Sequence, residues 1–99
     1  MSYVIFKVKS AEQGKINTIL KDDLVSRQSI VIREANSLDI KDNVSYLKIE
    51  GSNEGLKRAE ALAKELGMKK LPVKKAKTID DKIREQEDSA ATGMGMIFD

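Results

Sequence analysis

The chain has 99 residues, of which 40% are hydrophobic and only 4% aromatic, so it has room for one small domain with a thin core. It contains no Cys and no His. These absences exclude disulfides and the usual zinc sites, and they remove the commonest general base near neutral pH. We therefore expect a non-catalytic protein that holds neither a metal ion nor a cofactor.

The total charge is small, but its distribution along the chain is uneven. The net charge is +2; residues 68–77 contain five Lys and no acid, whereas residues 78–99 contain six acids and two basic residues. The first residues lack the pattern of a secretion signal, and no run approaches the roughly 18 apolar residues of a membrane span. We expect a cytoplasmic protein with no membrane partner.

The first predicted elements are a strand over residues 3–9 and a helix after it. Apolar residues occupy both faces of the strand, with Val4, Phe6 and Val8 on one face and Tyr3 and Ile5 on the other. This pattern is typical of a central strand. Ser10 and Gln13 have the spacing of a capping box. The helix that they introduce has an apolar stripe formed by Ile16, Ile19, Leu20 and Leu24.

The second half of the chain repeats this order. The β-branched residues 30–32 and the run 44–50 predict a hairpin. Ser52 or Asn53 is expected to cap a second helix, which Gly67 ends. A fourth strand is predicted over residues 68–75. It contains Pro72, which cannot donate to a strand ladder, so this strand is expected at a sheet edge.

These elements predict an α+β, ferredoxin-like βαββαβ fold over residues 1–77, with two helices on one face of a four-stranded antiparallel sheet. The other face would be bare and would carry Tyr3, Ile5 and Val31. We therefore expect a homodimer or a higher homo-oligomer. Residues 78–99 are predicted to form an acidic tail, with a short helix from position 78 to about position 89 and an apolar tip.

A glycine lies where the first strand enters the first helix, in the segment Gly14-Lys15-Ile16-Asn17-Thr18-Ile19-Leu20. Glycine at a helix N-terminus exposes backbone N–H donors that can bind a carboxylate. Together with the hairpin and the helix that closes at Leu66-Gly67, this layout resembles the ACT-domain superfamily of small regulatory modules, including the NIL-type domains. The resemblance covers about residues 3–75.

The resemblance implies a site for an amino acid or related small metabolite at an oligomer interface. By position, its residues would be Glu12, Gln13, Gly14, Lys15 and Asn17. The alternative is that Gly14 only accommodates packing of the helix against the sheet. The other glycine-bearing turn, residues 51–55, is expected to be a helix cap, because Glu54 places a negative charge where a phosphate would bind.

Two further regions support alternative functions. A basic edge could bind nucleic acid through Lys69, Lys70, Lys74, Lys75 and Lys77, although edge lysines also discourage strand aggregation. The tail 90–99 could dock into a larger complex or protein partner through Met94, Met96, Ile97 and Phe98. The acid pairs Asp22-Asp23 and Asp80-Asp81 are expected to be surface charges, because neighbouring side chains on a helix diverge by about 100°.

Overall fold

Within residues 2–98, four strands and four α-helices form one sheet with helices on both faces. The computed structural model describes the backbone of residues 2–98 and the side chains of residues 2–87. The strands are β1 (Ser2–Lys9), β2 (Ser29–Glu34), β3 (Val44–Gly51) and β4 (Lys69–Lys70). The helices are α1 (Gly14–Leu20), α2 (Asp23–Ser26), α3 (Asn53–Glu65) and α4 (Val73–Phe98). Short 3₁₀ turns follow β1 and β2, over Ser10–Glu12 and Ala35–Leu38.

The sheet has the order β2-β3-β1-β4, and every neighbouring pair is antiparallel. β1 pairs with β3 along its whole length. β4 is short: it pairs only Phe6 with Lys70 and Lys7 with Lys69. The predicted α+β class with a four-stranded antiparallel sheet is confirmed, and the arrangement is compatible with a ferredoxin-like fold. β4 lies at a sheet edge, as Pro72 indicated.

Helices α1, α2 and α3 cover one face of the sheet. The strands contribute the buried residues Val4, Phe6, Val8, Leu47 and Ile49. The helices contribute Ile16, Ile19, Val25, Leu56, Ala59 and Ala63. The strand residues recur at every second position and the helical ones at every third or fourth, which brings each set onto one side of its element. The predicted division of β1 into two apolar faces is confirmed.

The opposite face of the sheet is not bare, and that expectation was wrong. Tyr3, Ile5 and Val31 do face this side, but α4 of the same chain packs over them. Among the side chains described, the buried apolar residues of α4 are Ala76, Ile79 and Ile83. An intramolecular helix thus removes this apolar surface from water. The bare face that suggested sheet-to-sheet dimerisation does not exist.

The change from strand to helix near Pro72 also differs from the prediction. β4 ends at Lys70 rather than at Lys75, and α4 begins at Val73. Pro72 explains both observations, because it cannot donate to a ladder, yet its carbonyl accepts the Ala76 N–H at 2.8 Å and so opens the helix.

The helix predicted within the tail is part of α4, which continues across position 77 and ends at Phe98. The tail residues predicted to dock a partner are Met94, Met96, Ile97 and Phe98. They lie outside the residues whose side chains are described. Docking through this segment therefore stays a prediction.

The helix predicted to run from Ile16 to Leu24 is divided in two by Asp22. One carboxylate oxygen of Asp22 accepts the N–H groups of Leu24 and Val25 at 3.1 and 3.2 Å and caps α2. The other accepts from Arg58 Nε of α3 at 2.9 Å. The hydrogen bond from Arg58, followed by the cap bonds, holds the pKa of Asp22 below its ordinary value. Asp22 is therefore a structural residue.

The turn between β1 and α1 is held differently from the predicted capping box. Ser10 lies in the 3₁₀ turn, and Gln13 makes no side-chain cap bond to α1. Instead, Gln13 Nε2 donates to Oγ of the buried Ser45 at 2.9 Å. This bond attaches the turn to β3.

The predicted stop of the second helix is confirmed, because Gly67 follows α3 with a φ of 72°.

Candidate functional site

A cavity of about 580 Å³ opens at the end of the sheet where β1 enters α1. Its walls come from the turn after β1, the β2–β3 connection and the α3–β4 connection. The charged lining residues are Lys7, Lys9, Lys15, Lys69, Glu12 and Asp42. The volume falls within the roughly 300–1,000 Å³ typical of small-molecule sites. The cavity combines charges of both signs with an excess of lysine.

Two of the four lysines are already paired with carboxylates. Lys7 Nζ lies 3.3 Å from Asp42 Oδ2, and Lys15 Nζ lies 3.2 Å from Glu12 Oε1. Lys9 and Lys69 are exposed, and neither forms an ion pair with any side chain in residues 2–87. The cavity therefore offers two cations whose charge no neighbouring carboxylate offsets.

The residues predicted for ligand binding are only partly brought together. Glu12 and Lys15 line the cavity. Gln13, Gly14 and Asn17 are not among its lining residues. A Cβ placed on Gly14 would meet nothing within 4 Å, so neither a neighbouring backbone nor close packing requires glycine there. The role of Gly14 in ligand binding stays a prediction that no contact in the structure supports.

A second cavity of about 390 Å³ lies between β4 and the start of α4. Lys7 and Lys69 line this cavity as well as the first, so the two are adjacent. Tyr46 and Thr78 also line it. Tyr46 is only 5% exposed, so its ring is not free to stack on a nucleobase.

The five lysines predicted to bind nucleic acid divide between this cavity and open surface. Lys69, Lys70 and Lys75 line the second cavity. Lys74 and Lys77 are exposed on the first turns of α4 and line neither cavity. Lys70 Nζ lies 2.5 Å from Glu60 Oε1, so part of the basic segment is neutralised within the chain.

The second glycine-bearing junction, from Gly51 to Gly55, is closely packed. Gln28 Oε1 accepts the Ser52 N–H and Gln28 Nε2 donates to the Leu24 carbonyl, each at 3.0 Å. A Cβ on either glycine would overlap the Gln28 side chain. Ser52 Oγ accepts the Gly55 N–H at 3.2 Å, which confirms the predicted cap. These glycines admit a side chain of the same chain rather than a phosphate.

A third polar cluster lies under α4 and holds that helix on the sheet. Asp80 is only 4% exposed and Lys48 of β3 only 7%, so the expectation that Asp80 is a surface charge was wrong. Lys48 Nζ lies 2.5 Å from Asp80 Oδ1, and Arg84 Nε donates to Asp80 Oδ2 at 2.9 Å. Burial alone would raise the pKa of Asp80, but the hydrogen bonds from Lys48 and Arg84 outweigh it and hold this pKa below its ordinary value.

This cluster joins α4 to β3, because the buried Asp80 of α4 is paired with the buried Lys48 of β3 and with the more exposed Arg84. Within the part of the chain that the structure describes, no group of three or more carboxylates could hold a metal ion. No helix in that part is both long and apolar enough to cross a membrane.

Sequence reasoning missed three charged residues of the cavity: Lys7, Lys9 and Asp42. The signal for the first two was present, because they continue the alternation of Tyr3 and Ile5 along β1. Asp42 lies in an irregular connection, and no periodic pattern marks it.

Comparison with known proteins adds no identity. No family model, characterised protein or solved structure matches the chain. The ACT-like resemblance therefore stays an expectation, and any function must be argued from the geometry of the site.

Proposed function

We propose that this chain is a non-catalytic regulatory module that binds an amino acid, or a related small metabolite, in the cavity at the end of the sheet. One observation carries the proposal: the cavity brings lysines and carboxylates together around a space of about 580 Å³. An amino acid carries both an anion and a cation, so a lining of both signs matches it.

Each end of such a ligand has a partner in the lining. Lys9 is exposed and unpaired among the described side chains, so its ammonium can bind the ligand carboxylate without first leaving a partner. Asp42 and Glu12 are each half-exposed and each face a single lysine. Either carboxylate can accept a hydrogen bond from the ligand ammonium while keeping its lysine.

The framework also supports the proposal. A βαββαβ order compatible with a ferredoxin-like fold gathers its connecting loops at the ends of the sheet, where binding residues can vary without disturbing the core. The predicted homo-oligomer remains part of the proposal, as the means by which an open cavity would be closed over its ligand. Sedimentation velocity with and without ligand measures this directly.

The first test is a thermal-shift screen of the purified chain against the amino acids. A ligand present at 100 times its dissociation constant adds about 2.7 kcal/mol to the folded state, which raises the melting temperature of a domain of this size by roughly 10 °C. Lys9→Gln should remove most of the shift. Lys57→Gln is the matched control, because Lys57 is an exposed lysine of α3 that does not line the cavity.

The outcomes separate the proposal from general charge effects. A shift that is lost in Lys9→Gln and kept in Lys57→Gln supports binding in the cavity. Absence of a shift with every amino acid, or an equal loss in the two variants, would overturn it.

A second candidate is binding of nucleic acid by the basic segment. It is favoured by one observation: Lys69, Lys70, Lys74, Lys75 and Lys77 are all exposed, around β4 and the first turns of α4. Each phosphate contact would add affinity that falls with salt. A plot of log affinity against log salt concentration with single-stranded RNA tests it, and a flat plot would dismiss it.

A third candidate, docking of residues 90–99 to a protein partner, retains its own test. Deletion of these residues should abolish recovery of the partner while leaving the sheet and its cavity intact.

A further inference from the structure

The pairing of β1 with β4 places two lysines directly opposite each other. Lys7 and Lys69 are cross-strand partners in this antiparallel ladder. Such partners project from the same face of a sheet with Cβ atoms about 5 Å apart, and like charges in this position destabilise the pairing. Lys7 has a carboxylate partner in Asp42, whereas Lys69 has none among the described side chains.

The same two lysines occupy a special place between the cavities. Both Lys7 and Lys69 line the first cavity and the second, so the two spaces are adjacent at this lysine pair. Lysines at six positions line the combined space: 7, 9, 15 and 69 in the first cavity, with 70 and 75 added by the second. Its two carboxylates, Glu12 and Asp42, already face lysines.

From this arrangement we infer that Lys7 and Lys69 form a subsite for the phosphate group of a phosphate monoester. A phosphate monoester carries nearly two negative charges near neutral pH and three acceptor oxygens, so it can accept from both ammonium groups at once. Its binding converts a repulsive cross-strand pair into a bridged one.

The inference deepens the proposed function. The identity of the ligand beyond its phosphate group rests on that proposed function. If an amino acid binds in the first cavity, the ligand becomes a phosphorylated amino acid or a similar phosphate-bearing metabolite that extends toward the second cavity. The phosphate subsite itself depends only on the lysine pair.

A different role for Lys69 must be separated from this one. Lysines on edge strands hinder pairing with other chains, and β4 is an edge strand. That role of Lys69 would not require Lys7, the cavities or any ligand. Lys74 supplies the comparison, because it belongs to the same basic segment, is exposed and lines neither cavity.

The test uses the full chain and three probes at constant ionic strength: serine, phosphoserine and inorganic phosphate. Melting temperatures and titrations are measured for the wild type, Lys69→Gln and Lys74→Gln. Without ligand, Lys69→Gln should melt higher than the wild type, because the like-charge pair is gone. Its affinity for inorganic phosphate should fall about tenfold or more, the loss expected for one charge-assisted hydrogen bond. Lys74→Gln should change the melting temperature and the phosphate affinity only by the small amount expected when a distant charge is removed.

Lys7→Gln gives a second reading, because it removes the other ammonium group. This variant should also weaken phosphate binding. It should not melt higher than the wild type, because it loses the ion pair with Asp42.

The outcomes for the subsite and for the amino-acid site are distinguishable. A shift with serine but none with phosphate overturns the subsite and leaves the proposed function in place. A phosphate shift without any amino-acid shift supports the subsite and overturns the proposed function. Equal weakening of phosphate in Lys69→Gln and Lys74→Gln would overturn the subsite, because it would show diffuse attraction by the basic segment.

Discussion

The two faces of the sheet are covered by helices in different ways. On the first face, α1, α2 and α3 bury a continuous apolar cluster with no charged residue in it. On the second face, the described side chains of α4 (residues 73–87) contribute Ala76, Ile79 and Ile83 to the core, and beside them lies the buried Asp80 paired with Lys48. With three buried apolar side chains in residues 73–87, packing alone does little to fix the position of this part of α4 along the sheet.

We expect the buried ion pair between Lys48 and Asp80 to hold α4 in position where its apolar stripe is too sparse to do so. Removing two charges from water costs several kcal/mol for each ion, and their attraction repays this only when the geometry is good. Here the geometry is close, with Lys48 and Arg84 on separate oxygens of Asp80, and the Tyr3 ring centre lies 5.2 Å from Lys48 Nζ. We therefore expect the pair to fix where α4 lies, whereas the helices on the first face are positioned by the shape of the apolar cluster.

The largest predicted effect is that of Asp80→Ala, which leaves the buried Lys48 ammonium with only the more distant Glu50 carboxylate, 3.9 Å away. We expect the free energy of unfolding to fall by about 3–5 kcal/mol. Asp81→Ala is the matched control, since Asp81 is the adjacent carboxylate and is exposed; it should change stability by no more than about 0.5 kcal/mol. Urea denaturation followed by circular dichroism measures both, and equal losses would remove the distinction between the faces.

Replacing both charges at once should restore most of that loss. In Lys48→Met with Asp80→Leu, no buried charge remains, so the stability should return to within about 1 kcal/mol of the wild type or exceed it. If the pair also fixes the position of α4, amide hydrogen exchange in residues 76–83 should be faster in the double variant even at equal stability. Unchanged exchange would show that the apolar stripe is sufficient.

The sequence predicts the cover of the first face better than the cover of the second, because the patterns that mark the two covers differ in strength. Alternation along β1 identified both apolar faces, and the expected cap at Ser52 or Asn53 and the stop at Gly67 identified a helix that covers the first. The cover of the second face was missed because α4 has a sparse apolar stripe, and because no periodic pattern shows that Lys48 of β3 and Asp80 of α4 are paired. Charge pairing between distant elements depends on the tertiary structure.

The candidate site was predictable to a smaller extent. The turn that enters α1 was identified from its glycine and polar residues, and Glu12 and Lys15 do line the cavity. Lys69 was noticed as part of a basic segment. Its position opposite Lys7 depends on the register between β1 and β4, which no local pattern fixes when β4 is only two residues long.

Acid should lower stability through carboxylates on both sides of the sheet. The pKa of Asp80 is lowered in the folded state, so its contribution is present above the unfolded pKa of about 3.9 and is lost as the pH falls through the lower folded value. Asp22, bonded to Arg58 beside the first face, loses its contribution in the same direction.

Stability measured from pH 7 to pH 2 checks this expectation. Asp80→Asn should flatten the acid limb of the curve. The limb that remains in Asp80→Asn should shrink further when Asp22→Asn is added. An acid limb that is identical in the wild type and Asp80→Asn would contradict the assignment of the lowered pKa to the buried pair.

A smaller effect tests whether the first face depends on a polar contact of its own. Gly55→Ala would push the Gln28 amide away from the Ser52 N–H and the Leu24 carbonyl, at a loss of about 1 kcal/mol per hydrogen bond. In a Gln28→Ala background the space is free, so the same change should instead stabilise α3 by about 0.5–1 kcal/mol. A double-mutant cycle measures the coupling. Coupling as large as that between Lys48 and Asp80 would show that the two faces are held alike.

The smallest predicted effect is at Gly14, where α1 begins its path over the first face. A Cβ there would meet nothing within 4 Å, and the backbone φ is not positive, so alanine fits without strain. Gly14→Ala should therefore stabilise the fold by about 0.5–1 kcal/mol, because it lowers the conformational entropy of the unfolded chain. Affinity for any ligand of the cavity should stay within twofold, since Gly14 does not line it. Loss of ligand binding without loss of stability would instead mean that the ligand reaches the N-terminus of α1, and it would return Gly14 to the site that the sequence first suggested.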